Sequence, residues 1–171
     1  VHAALFGGVV VRASATVSCT VEQAWRLIAD VTRIGEFSPE CVAAGWLGDL
    51  REPRVGARFE GTSCKTVGED VLLWVRPCTV LVAAYGRAFG YVVGDRYDGS
   101  PAGRWDYVLD ATEGGCRISL SFRHAADGLS GLRLLADADP VHAVDVVASR
   151  CAELRLGMEQ TLSRMKLVLE Q

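Results

Sequence analysis

Residues 104–124, RWDYVLDATEGGCRISLSFRH, contain two runs in which apolar and polar side chains alternate. In the second run one face carries only apolar side chains, namely Cys116, Ile118, Leu120 and Phe122. Alternation with a period of two is typical of a β-strand with one buried and one solvated face. The turn residues Glu113, Gly114 and Gly115 separate the two runs. The segment therefore predicts an antiparallel β-hairpin.

Further strand-like segments precede this hairpin along the chain. The pattern predicts strands at residues 9–17, 41–47, 57–66, 71–84 and 87–94, in addition to 104–110 and 116–124. The apolar stretch 3–11 is interpreted as the first strand with its lead-in, and Asp95 is expected in solvent at a strand end. Turns such as Tyr85–Gly86 and residues 98–101 separate the strands. Successive strands with short connections favour an antiparallel sheet.

Helix signals flank the strands on both sides. Thr20 and Gln23 form a T-x-x-Q capping box that opens a helix at residues 21–29, and Asp30 can cap a second short turn. Near the other end, Asp139 followed by Pro140 predicts the start of a helix of about 29 residues. Its apolar stripe, interrupted by Arg155, comprises Val141, Val144, Ala148, Cys151, Met158, Leu162, Met165 and Leu169. Such a helix can bury its stripe on the concave side of a curved sheet, which predicts a two-layer α+β fold.

The composition indicates one packed domain over residues 1–171. Hydrophobic residues make up 50% of the chain and the net charge is −3, so nucleic acid is not expected as a partner. No apolar run reaches the ~18 residues of a membrane span, and we expect a cytoplasmic protein without integral membrane association. The six cysteines are expected to be free thiols. The histidines are too far apart for a metal pattern, so no metal or cofactor is expected, and the oligomeric state is not indicated.

Side chains on the apolar faces are candidates to line a ligand cavity. They are Phe59, Trp74, Phe89, Tyr91, Trp105, Tyr107, Phe122, His124, Met158, Leu162 and Met165. Aromatic rings and flexible methionines form an adaptable apolar lining, and tyrosine hydroxyls can bond a ligand oxygen. A filled core is the alternative interpretation of the same pattern. The connection at residues 125–139 could cover an entrance or form a short packed helix.

Two residues are candidates for catalysis. His124 ends the buried face of the last strand, where its imidazole could titrate near neutrality. Arg76 alternates in step with Trp74 and could polarise a carbonyl if that face points inward. The alternatives are a histidine bonded to backbone and a surface arginine. No nucleophile-elbow, P-loop or dinucleotide motif occurs in the sequence, so any catalysis would depend on positioning and acid–base chemistry.

Several short motifs between residues 9 and 168 match one known family pattern: DVTRIGEFSPEC (30–41), VGARFEG (55–61), GRAF (86–89), WDY (105–107) and GGCRI (114–118). Together they resemble the polyketide cyclase/dehydrase and lipid-transport group of the SRPBCC (START-like) superfamily. The resemblance implies a helix-grip fold, with a seven-stranded antiparallel sheet around a long C-terminal helix and two short helices between strands 1 and 2. It also implies an internal cavity that holds a hydrophobic or amphipathic molecule of lipid, polyketide or isoprenoid type. A cyclase or dehydratase, and a stress-response or interaction protein without ligand, are the alternatives.

Overall fold

A curved antiparallel sheet forms the framework of the computed structural model, which describes residues 2–94 and 100–171. Asp95 and part of the turn predicted at residues 98–101 lie outside the described residues. The strands are β1 Val10–Val17, β2 Cys41–Leu47, β3 Arg58–Val67, β4 Asp70–Ala84, β5 Ala88–Gly94, β6 Pro101–Thr112 and β7 Gly115–His124. The helices are α1 His2–Gly7, α2 Val21–Ala29, α3 Ile34–Phe37, α4 Gly131–Ala138 and α5 Ala143–Leu169, with a 3-10 turn at Val31–Arg33.

The seven strands follow the order β1-β7-β6-β5-β4-β3-β2, and every neighbouring pair is antiparallel. Helix α5 packs its buried side chains, including Leu154, Met158 and Met165, into one core with the concave face of the sheet. The short helices α2 and α3 lie between β1 and β2. This arrangement confirms the predicted helix-grip fold.

Cross-strand register fixes which side chains face the interior. Tyr107 lies opposite both Phe89 and Leu120, and Trp105 lies opposite both Tyr91 and Phe122. Directly opposed residues project from the same face of a sheet, so these aromatic side chains all point to the concave side. The intervening residues of each strand, such as Val92 and Arg104, project to the outer face.

The predicted lead-in strand at residues 3–11 is wrong, because His2–Gly7 forms helix α1 and the strand begins at Val10. The stretch is apolar without strict alternation, a pattern that a short buried helix also produces. Phe6 and Val9 are buried in a second, smaller core together with Ala136 of α4 and Val147 of α5. Burial against two helices therefore overrides the strand-like composition.

The start of the long helix also differs from the prediction. Helix α5 begins at Ala143, because the backbone N–H of Asp139 still bonds to α4 and the Asp139 carboxylate accepts from the His142 N–H. Val141 is 85% exposed, and the first half of the buried stripe passes through Ala143 and Val147. The second half follows the predicted positions Met158, Leu162 and Met165. None of the helices in the described residues combines the length and apolarity needed to span a membrane.

The two ends of the helix layer are held by specific polar contacts. The predicted capping box is confirmed, because Thr20 and Gln23 bond each other's backbone N–H groups at the start of α2. Arg155 lies outside the buried stripe and donates to the Arg12 carbonyl, 3.2 Å away. Lys166 donates to the Thr16 carbonyl at 3.1 Å. These bonds attach α5 to the edge strand β1 and satisfy carbonyl groups that no further strand covers.

Candidate functional site

The concave face carries a continuous series of aromatic rings. Phe59 packs edge-on against Trp46 and Tyr91, with ring centroids 5.8 Å and 5.1 Å away, and Tyr91 lies 6.1 Å from Phe89. These rings share one core with further predicted lining residues, namely Tyr107, Met158, Leu162 and Met165. The structure therefore brings most of the predicted lining residues together. Trp46 was missed by sequence reasoning, although its position opposite Phe59 could have been found by aligning the strands.

Trp105 and Phe122 form a separate aromatic contact on the same face. Their ring centroids are 4.8 Å apart, and both rings are partly buried against the main core. The Phe122 ring extends over Gly103, at a position where a Cβ atom would collide with it. Gly103 thus provides the space in which this pair packs.

Tyr91 and Tyr107 place two phenol hydroxyls in this apolar lining. Burial raises the pKa of both phenols, and for Tyr91 the nearby Tyr107 adds to the effect. Both hydroxyls therefore stay protonated and can donate hydrogen bonds. Within residues 2–94 and 100–171, no backbone or side-chain group hydrogen-bonds to either phenol oxygen. Both oxygens keep some accessible surface, since neither is among the enclosed polar atoms without a partner in the described residues, and a ligand oxygen could accept a hydrogen bond there.

Two thiols adjoin the phenols and were not among the predicted lining residues. Burial raises the pKa of Cys41 to about 11 and that of Cys78 to about 12. Cys41 donates weakly to the Ala43 carbonyl, 3.4 Å from its Sγ. Thiols held neutral in this way do not supply a thiolate nucleophile at neutral pH. Their contribution is to extend the apolar lining beside the two phenols.

Trp74 and Arg76 occupy the open end of the concave face. Arg76 lies opposite Gly61 and Trp74 lies opposite Ser63, so both side chains start from the face that carries Phe59. Both residues are only partly buried, and neither belongs to the main core. The structure thus shows that Arg76 starts from the inner face, a direction that the sequence left open. Arg76 lies at the rim of this face, apart from the two phenols.

Ion pairs close the seam between α5 and this end of the sheet. The Arg150 guanidinium binds the Glu40 carboxylate through two bonds of 2.6 Å and 2.7 Å. Arg150 also pairs with Glu153, which lies 3.7 Å from the Lys65 ammonium on β3. The network therefore connects helix α5 to strand β3 and to the residues that precede β2.

His124 lies away from the aromatic series, in the smaller core. Its Nδ1 is 2.7 Å from the Ala125 carbonyl, its Nε2 is 2.6 Å from the Ser130 hydroxyl, and its ring packs on Phe6. Because the carbonyl can only accept, Nδ1 carries the proton and Nε2 accepts from the hydroxyl. Burial lowers the pKa of His124. Both ring nitrogens are thus occupied, and the bond to Ser130 joins β7 to the start of α4.

Two open cavities lie outside this interior. One, of about 420 Å³, lies between α2 and the end of α5 and is lined by Gln23, Arg26, Leu27, Asp30, Arg33, Val168 and Leu169. The other is a groove of about 320 Å³ on the outer face of the sheet, lined by Leu81, Val92, Pro101, Gly103, Arg104, Arg123, His124 and Ala125. Neither cavity is lined by the two phenols, so the aromatic interior is separate from both.

A seven-stranded sheet that wraps a terminal helix and lines it with aromatic side chains defines a helix-grip protein of the SRPBCC (START-like) superfamily. The family model described as "Polyketide cyclase / dehydrase and lipid transport" matches residues 8–170. The chain belongs to this family. No curated protein matches the sequence.

Solved structures resemble the chain over nearly its whole length. The polyketide-cyclase-like protein Cgl2372 of Corynebacterium glutamicum is 26% identical, with a TM-score of 0.64 over 94% of this chain and 91% of that one. Protein CV1439 of Chromobacterium violaceum is 15% identical, with a TM-score of 0.66 over 95% and 97%. StfQ, a di-domain ARO/CYC of the steffimycin biosynthetic pathway, is 13% identical, with a TM-score of 0.70 over 95% of this chain and 50% of StfQ. The last two likenesses concern the fold alone.

Proposed function

We propose that the protein binds a hydrophobic or amphipathic small molecule, of lipid, polyketide or isoprenoid type, between the concave face and α5. The observation that carries the proposal is the pair of unbonded, protonated hydroxyls of Tyr91 and Tyr107 within an otherwise apolar lining. The family description, polyketide cyclase/dehydrase and lipid transport, supports the same class of ligand.

The chemistry of the lining indicates how such a molecule would be held. Its apolar body would contact Phe59, Phe89 and the flexible side chain of Met158, all three of which are buried in the same core. One or two carbonyl or hydroxyl oxygens would accept hydrogen bonds from the phenols. Access would pass Trp74 and Arg76, because these residues lie at the partly exposed end of the same face.

The test uses the substitutions Tyr91→Phe and Tyr107→Phe, which remove only the hydroxyls. The probes are a hydroxyanthraquinone and a long-chain fatty alcohol, titrated by fluorescence and calorimetry. We expect each variant to bind the probes about five- to tenfold more weakly, while thermal stability is retained because no bond between described residues is lost. Tyr85→Phe, at an exposed tyrosine, is the control and should bind normally. The proposal fails if neither probe binds and solvent extraction of the purified protein yields no stoichiometric small molecule.

A polyketide cyclase or dehydratase is the second candidate function. It is favoured by the same pair of phenols, because two adjacent neutral donors can stabilise the oxyanion that develops when a carbonyl is enolised. The likeness to StfQ in fold is consistent with this candidate. Ring closure of a poly-β-ketone substrate, measured under single turnover, separates the two functions. If the protein is a cyclase, Tyr91→Phe should lower the rate of ring closure by a larger factor than it lowers the affinity for substrate. If the protein only binds the molecule, ring closure should be no faster with the protein than in buffer alone.

A further inference from the structure

The outer face of the sheet carries a groove that the proposed interior site does not use. Its floor is apolar, formed by Leu81, Val92, Pro101 and Gly103, and its volume is about 320 Å³. Val92 and Arg104 are directly opposed on neighbouring strands and alternate with the inward-facing Tyr91 and Trp105. The groove and the aromatic interior therefore lie on opposite sides of the same strands.

Arg104 is held in a fixed position at the rim of this groove. Its Nε lies 2.8 Å from Oδ2 of Asp106, and its Nη2 lies 2.7 Å from Oδ1. The carboxylate itself rests above Gly90, where any Cβ atom would collide with Oδ1. Gly90 thus allows Asp106 to orient the guanidinium. The contacts with Asp106 use the Nε–H and one N–H of Nη2, which leaves three guanidinium N–H groups for a ligand.

Arg123 lies directly opposite Arg104 across the β6–β7 pair. Two like charges in this position repel each other unless each has a counter-charge. Asp106 compensates Arg104, but among the described residues no carboxylate pairs with Arg123. The rim of an apolar groove therefore carries one uncompensated positive charge next to a second, pre-oriented guanidinium.

We propose that this groove binds a small amphipathic monoanion, with its anionic group between Arg104 and Arg123 and its tail on Leu81 and Val92. Guanidinium groups bind carboxylates and related oxyanions through paired hydrogen bonds. The volume lies at the lower end of the range of small-molecule sites, so the tail is short, about six to eight carbons. A single uncompensated charge favours one anionic group over two. This site is independent of the proposed interior site.

The experiment titrates the protein with octanoate and follows backbone amide shifts by NMR. We expect saturable shifts at Val92, Gly103 and Ala125, and about tenfold weaker binding to Arg123→Gln. Arg117→Gln is the matched control, because Arg117 is exposed on the same face of β7 but lies opposite Asp110, and its affinity should stay within twofold. Octanol, which keeps the tail but lacks the charge, should bind at least tenfold more weakly. Octyl sulfate, which shares the oxyanion chemistry, should compete with octanoate, whereas inorganic sulfate should compete only weakly.

A second variant tests the orientation of Arg104 without removing a charge. Gly90→Ala displaces the Asp106 carboxylate and should weaken octanoate binding severalfold. Circular dichroism checks that this variant folds. If it does not fold, the affinity of Arg123→Gln alone tests the proposal. The proposal is overturned by equal affinities of Arg123→Gln and Arg117→Gln, by shifts confined to Tyr91 and Tyr107, or by no response to octanoate at any concentration. Shifts at the groove that depend only on protein concentration would assign the face to a second copy of the chain and would also overturn it.

Discussion

Replacing Phe59 by alanine tests how much the aromatic series contributes to the stability of the protein in the absence of ligand. The ring is 1% exposed and contacts Trp46 and Tyr91 edge-on. Truncating a fully enclosed phenylalanine costs about 3–5 kcal/mol, which includes the cavity that remains. Within this loss, each edge-on aromatic contact accounts for about 0.5–1.5 kcal/mol beyond the burial of apolar area. We therefore expect Phe59→Ala to lower the free energy of unfolding by about 4 kcal/mol.

Urea denaturation followed by circular dichroism measures this loss as a shift in midpoint at constant slope. The melting temperature should fall by roughly 8–16 °C for a chain of this size. Leu73→Ala is the control, because Leu73 is 65% exposed on the outer face of β4 and should change stability by no more than about 0.5 kcal/mol. A loss below about 1.5 kcal/mol for Phe59→Ala would refute the reasoning, since it would mean that the ring contacts with Trp46 and Tyr91 contribute little to stability.

Three further predictions concern contacts outside the aromatic interior. Burial lowers the pKa of His124 below its unfolded value of about 6.5, so the unfolded chain binds the proton more readily. The free energy of unfolding should therefore fall as the pH drops below about 6.5, and this fall should be smaller in His124→Asn. Urea titrations at pH 7.5 and pH 5 measure both losses. Arg150→Met and Glu40→Gln should each lower stability by about 1 kcal/mol or less, and non-additivity in the double variant would confirm the pair. Gly115→Ala should lower the melting temperature strongly, because its Cβ would collide with a carbonyl of β1. Gly45→Ala is the control and should change the melting temperature little, because the space around Gly45 is open. Equal effects of the two substitutions would contradict the packing described.

The sheet could be predicted well because its strands alternate and are separated by clear turns. The alternation of Cys116, Ile118 and Leu120 identified the buried face of β7 directly, and all three are buried. The beginnings of α1 and α5 could not be predicted in the same way. At both places the local signals, an apolar run and an Asp139–Pro140 pair, are compatible with more than one structure. For α1 the deciding contact is with α4, which is remote in sequence, whereas for α5 it is the local continuation of α4 to Asp139.

The candidate site was predictable in its composition but less so in its polar details. Strand parity placed Tyr91 and Tyr107 on one face, and the structure brings them close enough for Tyr107 to raise the pKa of Tyr91. That their hydroxyls lack bonds within the described residues depends on every neighbouring side chain, which no single strand pattern contains. A bond from His124 to the backbone was one of the alternatives that the sequence offered, and the structure shows it at the Ala125 carbonyl. The bond to Ser130 could not be predicted, because Ser130 approaches only after the chain folds into α4.

The alternation that creates the aromatic interior also creates the outer groove, because each strand contributes neighbouring residues to opposite faces. Tyr91 and Val92 are consecutive, as are Arg104 and Trp105, yet their side chains are separated by the thickness of the sheet. Substitutions on one face remove no contact on the other, so their effects on binding should be additive. Tyr107→Phe should leave the affinity for octanoate unchanged, and Arg123→Gln should leave the affinity for the fatty alcohol unchanged. Coupling between these two variants would mean that both probes occupy a single site, and that at least one of the two assignments is wrong.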